Sequence, residues 1–140
     1  MPLNAAFYST WTPRAQALLR IVTAYLFITH GSAKYFSLPH VGAFDNLHLF
    51  SLIGLAGIIE LVGSVLLFLG LFTRPAAFIM SGEMAFAYFI GHAPQGFVLV
   101  PMINRGELAV LYCFVFLFFA AAGPGAWSLD GLRARRAVTA

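Results

Sequence analysis

The sequence predicts an all-α integral membrane protein, a four-helix bundle with both termini cytoplasmic. Three observations predict it. The 140-residue chain is 61% hydrophobic and only 9% charged, too little charge to clothe a soluble domain of that length. Four apolar stretches, roughly 14–36, 51–72, 75–92 and 105–122, each come near the ~20 helical residues that cross about 30 Å of hydrocarbon. Basic residues near the span ends are lopsided. Arg14, Arg20, Arg74, Arg133, Arg135 and Arg136 fall on the side of the termini, against Lys34 and Arg105 on the other. The connections are short, so residues 1–140 read as a single domain that crosses the membrane several times.

In chain order, Pro13 stands just before the first span, where its missing N–H costs nothing. Gly31-Ser32-Ala33 weakly fits a signal cleavage site. The apolar stretch before it is too long for a signal and three more spans follow, so the first span is expected to stay uncleaved. Gly54, Gly57, Gly63 and Gly70 of the second span read as close-packing positions. Thr73-Arg74-Pro75 reads as a tight turn into the third span, and Gly123-Pro124-Gly125 stops the fourth. Segments 37–50 and 93–104 mix aromatic, aliphatic and polar residues and are expected at the membrane surface. The net charge of +3 needs no nucleic-acid partner; Arg133 to Arg136 suits an anionic cytoplasmic leaflet.

Charged residues inside the spans are the natural place to look for function, because an ionised group in hydrocarbon must be paired, neutralised or turned to a cavity. Arg20, His30 and Lys34 stand in span one, Glu60 in span two, Glu83 in span three and Glu107 in span four. Glu60 and Glu83 lie at similar depth, roughly 13 Å from the outer boundary at 1.5 Å per residue, and Arg20 near that level. Arg20, Phe27, His30 and Lys34 share one helical stripe. Arg20 is therefore expected to form a structural ion pair with Glu83, Glu60 or both. His30, Glu60, Glu83 and His92 are expected to line one cavity open to the outer face, with Lys34, Arg105 and Glu107 at its rim. The blander reading is that the histidines only make interfacial hydrogen bonds, and that Lys34, Arg105 and Glu107 snorkel to water. A faint echo between Arg20–His30 and Glu83–His92, with Gly57/Glu60 and Gly106/Glu107, suits a two-plus-two duplication or chance.

Several chemistries fall away. Cys113 is the only cysteine, so one chain holds no dithiol and no cysteine metal cluster. There is no Glu-x-x-His pair of the di-iron type and no strand to launch a nucleotide loop. Two histidines on spans one and three could ligate a haem, or share a metal with Glu60, but the signal is weak and neither is expected. No residue set identifies a catalytic group. Proton handling beside an apolar pocket is the most generic chemistry the cluster supports.

These residues also carry a family resemblance. Leu19-Arg20, Phe27, His30-Gly31 and Lys34 open the series, followed by Ile59-Glu60-Leu61-Val62-Gly63. Leu69-Gly70-Leu71-Phe72-Thr73-Arg74, Ala76-Ala77, His92 and Gly123-Pro124-Gly125-Ala126-Trp127-Ser128-Leu129-Asp130 complete it. Over roughly residues 14–132 the chain resembles the DoxX family of small four-span bacterial inner-membrane proteins. Glu83 and Asn104-Arg105-Gly106-Glu107 look like a subgroup feature. The resemblance implies association with thiosulfate:quinone oxidoreduction or with redox and oxidative-stress complexes, so the expected role is a membrane subunit of a quinone-linked redox system. Its partners would be the lipid bilayer and a redox protein or further copies of itself, with quinone the one cofactor left open. The alternative is a non-enzymatic scaffold, an assembly factor or a proton-coupled transporter of small solutes.

Overall fold

The computed structural model describes residues 5–139, which are mostly helical with no strand among them. In order they form α1 (Ala5–Phe36), α2 (Leu52–Leu69), α3 (Thr73–Phe86) and a π-helical turn (Ala87–His92), then α4 (Glu107–Ala122) and α5 (Leu129–Thr139). α1 packs chiefly on α2, and α3 chiefly on α4; contact between the two pairs is sparser, with α2 against α3 and the Phe27 ring of α1 against Tyr112 and Phe116 of α4. Among the described residues α2 alone is long and apolar enough by itself to cross a bilayer, and α4 is a shorter apolar helix.

Close backbone approach explains the first pair. A Cβ on Gly31 would stand 2.7 Å from Leu61 Cγ and 2.8 Å from the Leu61 nitrogen, so only glycine lets α1 settle on α2 there. Tyr35 adds a hydrogen bond from its hydroxyl to the Gly54 carbonyl, 2.7 Å. In the second pair, Ser81 on α3 donates to the Cys113 carbonyl on α4 at 2.8 Å. Between the pairs sits a core of Phe27, Leu67, Met80, Met84, Phe116 and Phe119. Outside this core the molecule is inverted relative to a soluble protein. Leu18, Val22, Val65, Phe68, Phe78, Phe89, Leu111 and Phe114 face outward, while Arg20, Glu60, Ser64 and Asn104 are buried.

Three element boundaries differ from the sequence reading. α1 begins at Ala5, so Pro13 lies inside the helix instead of before it. On the first turns of α1 the Phe7 and Trp11 rings contact each other, 6.2 Å between centroids. The turn between α2 and α3 is Gly70–Phe72, not Thr73–Pro75. Gly70 takes the left-handed cap conformation (φ 64°) that favours glycine, and Pro75 falls in the first turn of α3, where no helical donor is lost. α5 was not expected: its run of arginines hides a helical pattern whose first turn is anchored to the bundle by Asp130.

Candidate functional site

At the end remote from the α2–α3 turn the two helix pairs part and leave a groove of about 620 Å³. All four of these helices contribute to it: Phe27, His30 and Lys34 from α1, Ile59 and Glu60 from α2, Glu83 from α3, Ala109 and Tyr112 from α4. His92, from the π-turn, and Arg105 line it as well. Glu107 does not; it lies exposed in the first turn of α4.

The groove has one closed electrostatic contact and one open one. Lys34 reaches inward and its ammonium is bound by both carboxylate oxygens of Glu60. Lys34 is thus not a rim residue, since its side chain is only 10% exposed and that of Glu60 3%. Among the described residues Glu83 has no such partner: its Oε2 is buried and accepts no hydrogen bond from them. His30 lies at the open side against the Phe27 ring, 5.5 Å between centroids, with Tyr112 6.4 Å away. The π-turn sets the other wall. It lays Tyr88 against Asn104, whose amide donates to the Tyr88 hydroxyl at 3.1 Å, and holds His92 Nδ1 3.3 Å from the Asn104 carbonyl oxygen. Such wide turns recur at functional sites.

Arg20 is the clearest correction. It pairs with neither Glu83 nor Glu60, but lies fully buried at the opposite end of the bundle. There its guanidinium donates to the carbonyls of Leu67 and Phe68 at the end of α2, and to Pro124 (2.9 Å), Ala126 and Trp127 (2.8 Å) in the segment after α4. The orphan carbonyls and negative dipole of a helix C-terminus satisfy a guanidinium as well as a carboxylate would. Arg20 precedes Lys34 by 14 residues on α1, about 21 Å of helix, so it stands well below the level of Glu60. Two further charges do the same work nearby. Arg74 donates to Ala120 (3.0 Å) and Ala121 at the end of α4. Asp130 accepts from the backbone N–H groups of Phe72 and Thr73, both at 2.9 Å, at the start of α3.

Sequence reasoning missed Tyr112, which looks like one more core aromatic, and the capping roles of Arg74 and Asp130. A carboxylate a few residues beyond a Gly-Pro-Gly stop was the available signal for the last. What the groove can do chemically follows from its parts. It offers apolar walls, a neutralised Lys34–Glu60 pair, an unsatisfied carboxyl and imidazoles at the open side, a setting for binding a lipophilic molecule and moving protons to or from it.

Comparison with known proteins places these observations. The DoxX family profile matches residues 15–93. An uncharacterized protein of Haemophilus influenzae is 50% identical over 126 residues, covering 86% of this chain and 91% of its own. An uncharacterized membrane protein of Mycobacterium tuberculosis is 28% identical over 141 residues, covering 90% of this chain and 85% of its own. No solved structure matches the chain.

Proposed function

The chain belongs to the DoxX family of membrane proteins, and on that premise we propose that it is a four-helix inner-membrane bundle, both termini cytoplasmic, that binds a quinone-type lipophile in its groove as a subunit of a redox system. The observation that carries this reading is the buried, unpartnered oxygen of Glu83 in an apolar groove lined by four helices. A carboxyl so placed gains from a ligand that offers it a hydrogen bond or exchanges a proton with it. The apolar outer faces of α1 to α4 support the multi-pass reading, as does the run from Thr73 through the π-turn to His92 without a break. The protein's residues would bind and orient the lipophile and carry protons; electrons would pass to a partner.

Protein purified in mild detergent and extracted for quinone tests this. Quinone should accompany the wild type and fall about ten-fold in Glu83→Leu, the loss of one hydrogen bond worth roughly 1.4 kcal/mol. Wild-type protein that carries no quinone would move the reading to the scaffold or transporter alternative.

A further inference from the structure

We propose that the groove opens sideways between α2 and α3, and that a hydroxyl-headed, long-chain amphiphile enters it from the bilayer through that gap, with Gly82 leaving room for the chain. The proposal rests on the reading of the protein as a membrane-crossing bundle, but not on any redox role.

Three observations carry it. Leu52 and Leu55 on α2 and Ile79 and Phe86 on α3 both line the groove and are exposed, so its side wall is apolar and open. A solute arriving from water gains nothing from such a wall, whereas a chain already in hydrocarbon can slide along it without desolvating a polar group. Second, Gly82 stands one turn from Ile79 and one from Phe86, yet a Cβ there would meet nothing within 4 Å. Gly31, Gly57 and Gly63, in contrast, would each place a Cβ under 3 Å from a neighbour. Glycine weakens a helix by about 1 kcal/mol relative to alanine, and at Gly82 no packing contact offsets that; what it supplies is empty space. Third, the next residue is Glu83, whose buried free oxygen marks the polar end of the same space.

A carboxyl oxygen facing apolar walls selects a head group with an O–H that can donate to it. That hydroxyl can come from a lipid alcohol or from a phenolic ring on a long chain. The volume of about 620 Å³ suits such a head with part of its chain.

The full chain in nanodiscs of saturated phosphatidylcholine is irradiated with one of three diazirine probes, and the adducts are mapped by mass spectrometry. The probes are a long-chain alcohol, a long-chain phenol and a chain of equal length without a hydroxyl. Adducts of a hydroxyl probe should concentrate on residues 52–59 and 79–90, persist in Gly82→Ala and fall to background in Gly82→Phe. They should drop in Glu83→Leu, while the hydroxyl-free chain labels the outer helix faces equally in all variants. Stronger groove labelling by the phenol assigns the aromatic source, and by the alcohol the lipid hydroxyl. Unchanged labelling in Gly82→Phe, or groove labelling by the hydroxyl-free chain as strong as by the others, overturns the proposal. A protein that enters nanodiscs without groove labelling defeats the side opening alone. One that does not enter them defeats the membrane-crossing reading as well. Groove labelling in a protein that carries no quinone leaves the opening standing and removes only the redox role.

Discussion

Arg20 shows how one side chain can hold a fold together through backbone carbonyls. Its guanidinium joins α1 to the end of α2 and to the segment that follows α4, so three separate parts of the chain meet on one residue. Arg20→Ala should lower stability by at least about 3 kcal/mol, because it strips several buried carbonyls of their donor at once. Arg20→Lys should recover little, since an ammonium lacks the planar fork that reaches several carbonyls together. Thermal unfolding in detergent reads both; a wild-type-like melt for Arg20→Ala would refute the role. Asp130 allows a pH test. Burial alone would raise its pKa, but the backbone N–H groups of Thr73 and Phe72 and the nearby Arg133 outweigh that and hold the carboxyl below the usual aspartate range. With the folded value depressed, its stabilisation is complete above the unfolded pKa of about 3.9 and disappears as pH falls through the lower folded value. The melting-temperature gap between wild type and Asp130→Asn should therefore be full at pH 7 and close only in that acidic window.

At the scale of elements, glycines with the same apparent role in sequence separate into two kinds. Gly31 is a contact surface against Leu61, whereas Gly82 faces open space. Gly31→Ala should cost about 1–3 kcal/mol by forcing α1 away from α2. Gly82→Ala should change stability by less than about 1 kcal/mol, and in the favourable direction, as helix propensity alone dictates. Parallel melts of the two variants compare them directly; equal losses would mean that the α1–α2 approach is not held by Gly31. The π-turn belongs to this scale too. Its wider winding is what brings Tyr88 and His92 to Asn104, and with them closes one wall of the groove.

For the whole molecule, the charged caps gather at one end and the groove at the other. Arg20 and Asp130 tie the end of α2 and the start of α3 to the segment 124–130, and Arg74 ties the start of α3 to the end of α4, so the helix pairs are clamped there and free to part at the far end. The basic residues of α5 continue from the clamped end. If that end lies in the cytoplasm, a reporter active only in the periplasm should give no signal when fused after Ala140, and a signal when inserted in the exposed stretch near Leu99. The reverse pattern would invert the topology and place the groove in the inner half of the bilayer.

Composition and periodicity determined the helical class, the approximate position of α1 to α4, and the membrane character that the family confirms. These follow from local physics: apolar runs of that length have few other ways to satisfy their backbone in lipid. The same counting grouped His30, Glu60, Glu83, His92, Lys34, Arg105 and Glu107, because depth along a helix is a one-dimensional quantity; all of these except Glu107 line the groove. Which charge meets which is not such a quantity. Lys34 rather than Arg20 binds Glu60, since Arg20 stands 14 residues before Lys34 on α1, about 21 Å at 1.5 Å per residue, and finds its partners among helix-end carbonyls that carry no sequence signature. The start of α1, the existence of α5 and the emptiness beside Gly82 were likewise decided only in three dimensions. Each depends on what the rest of the fold brings alongside, and a linear count of residues holds no record of that.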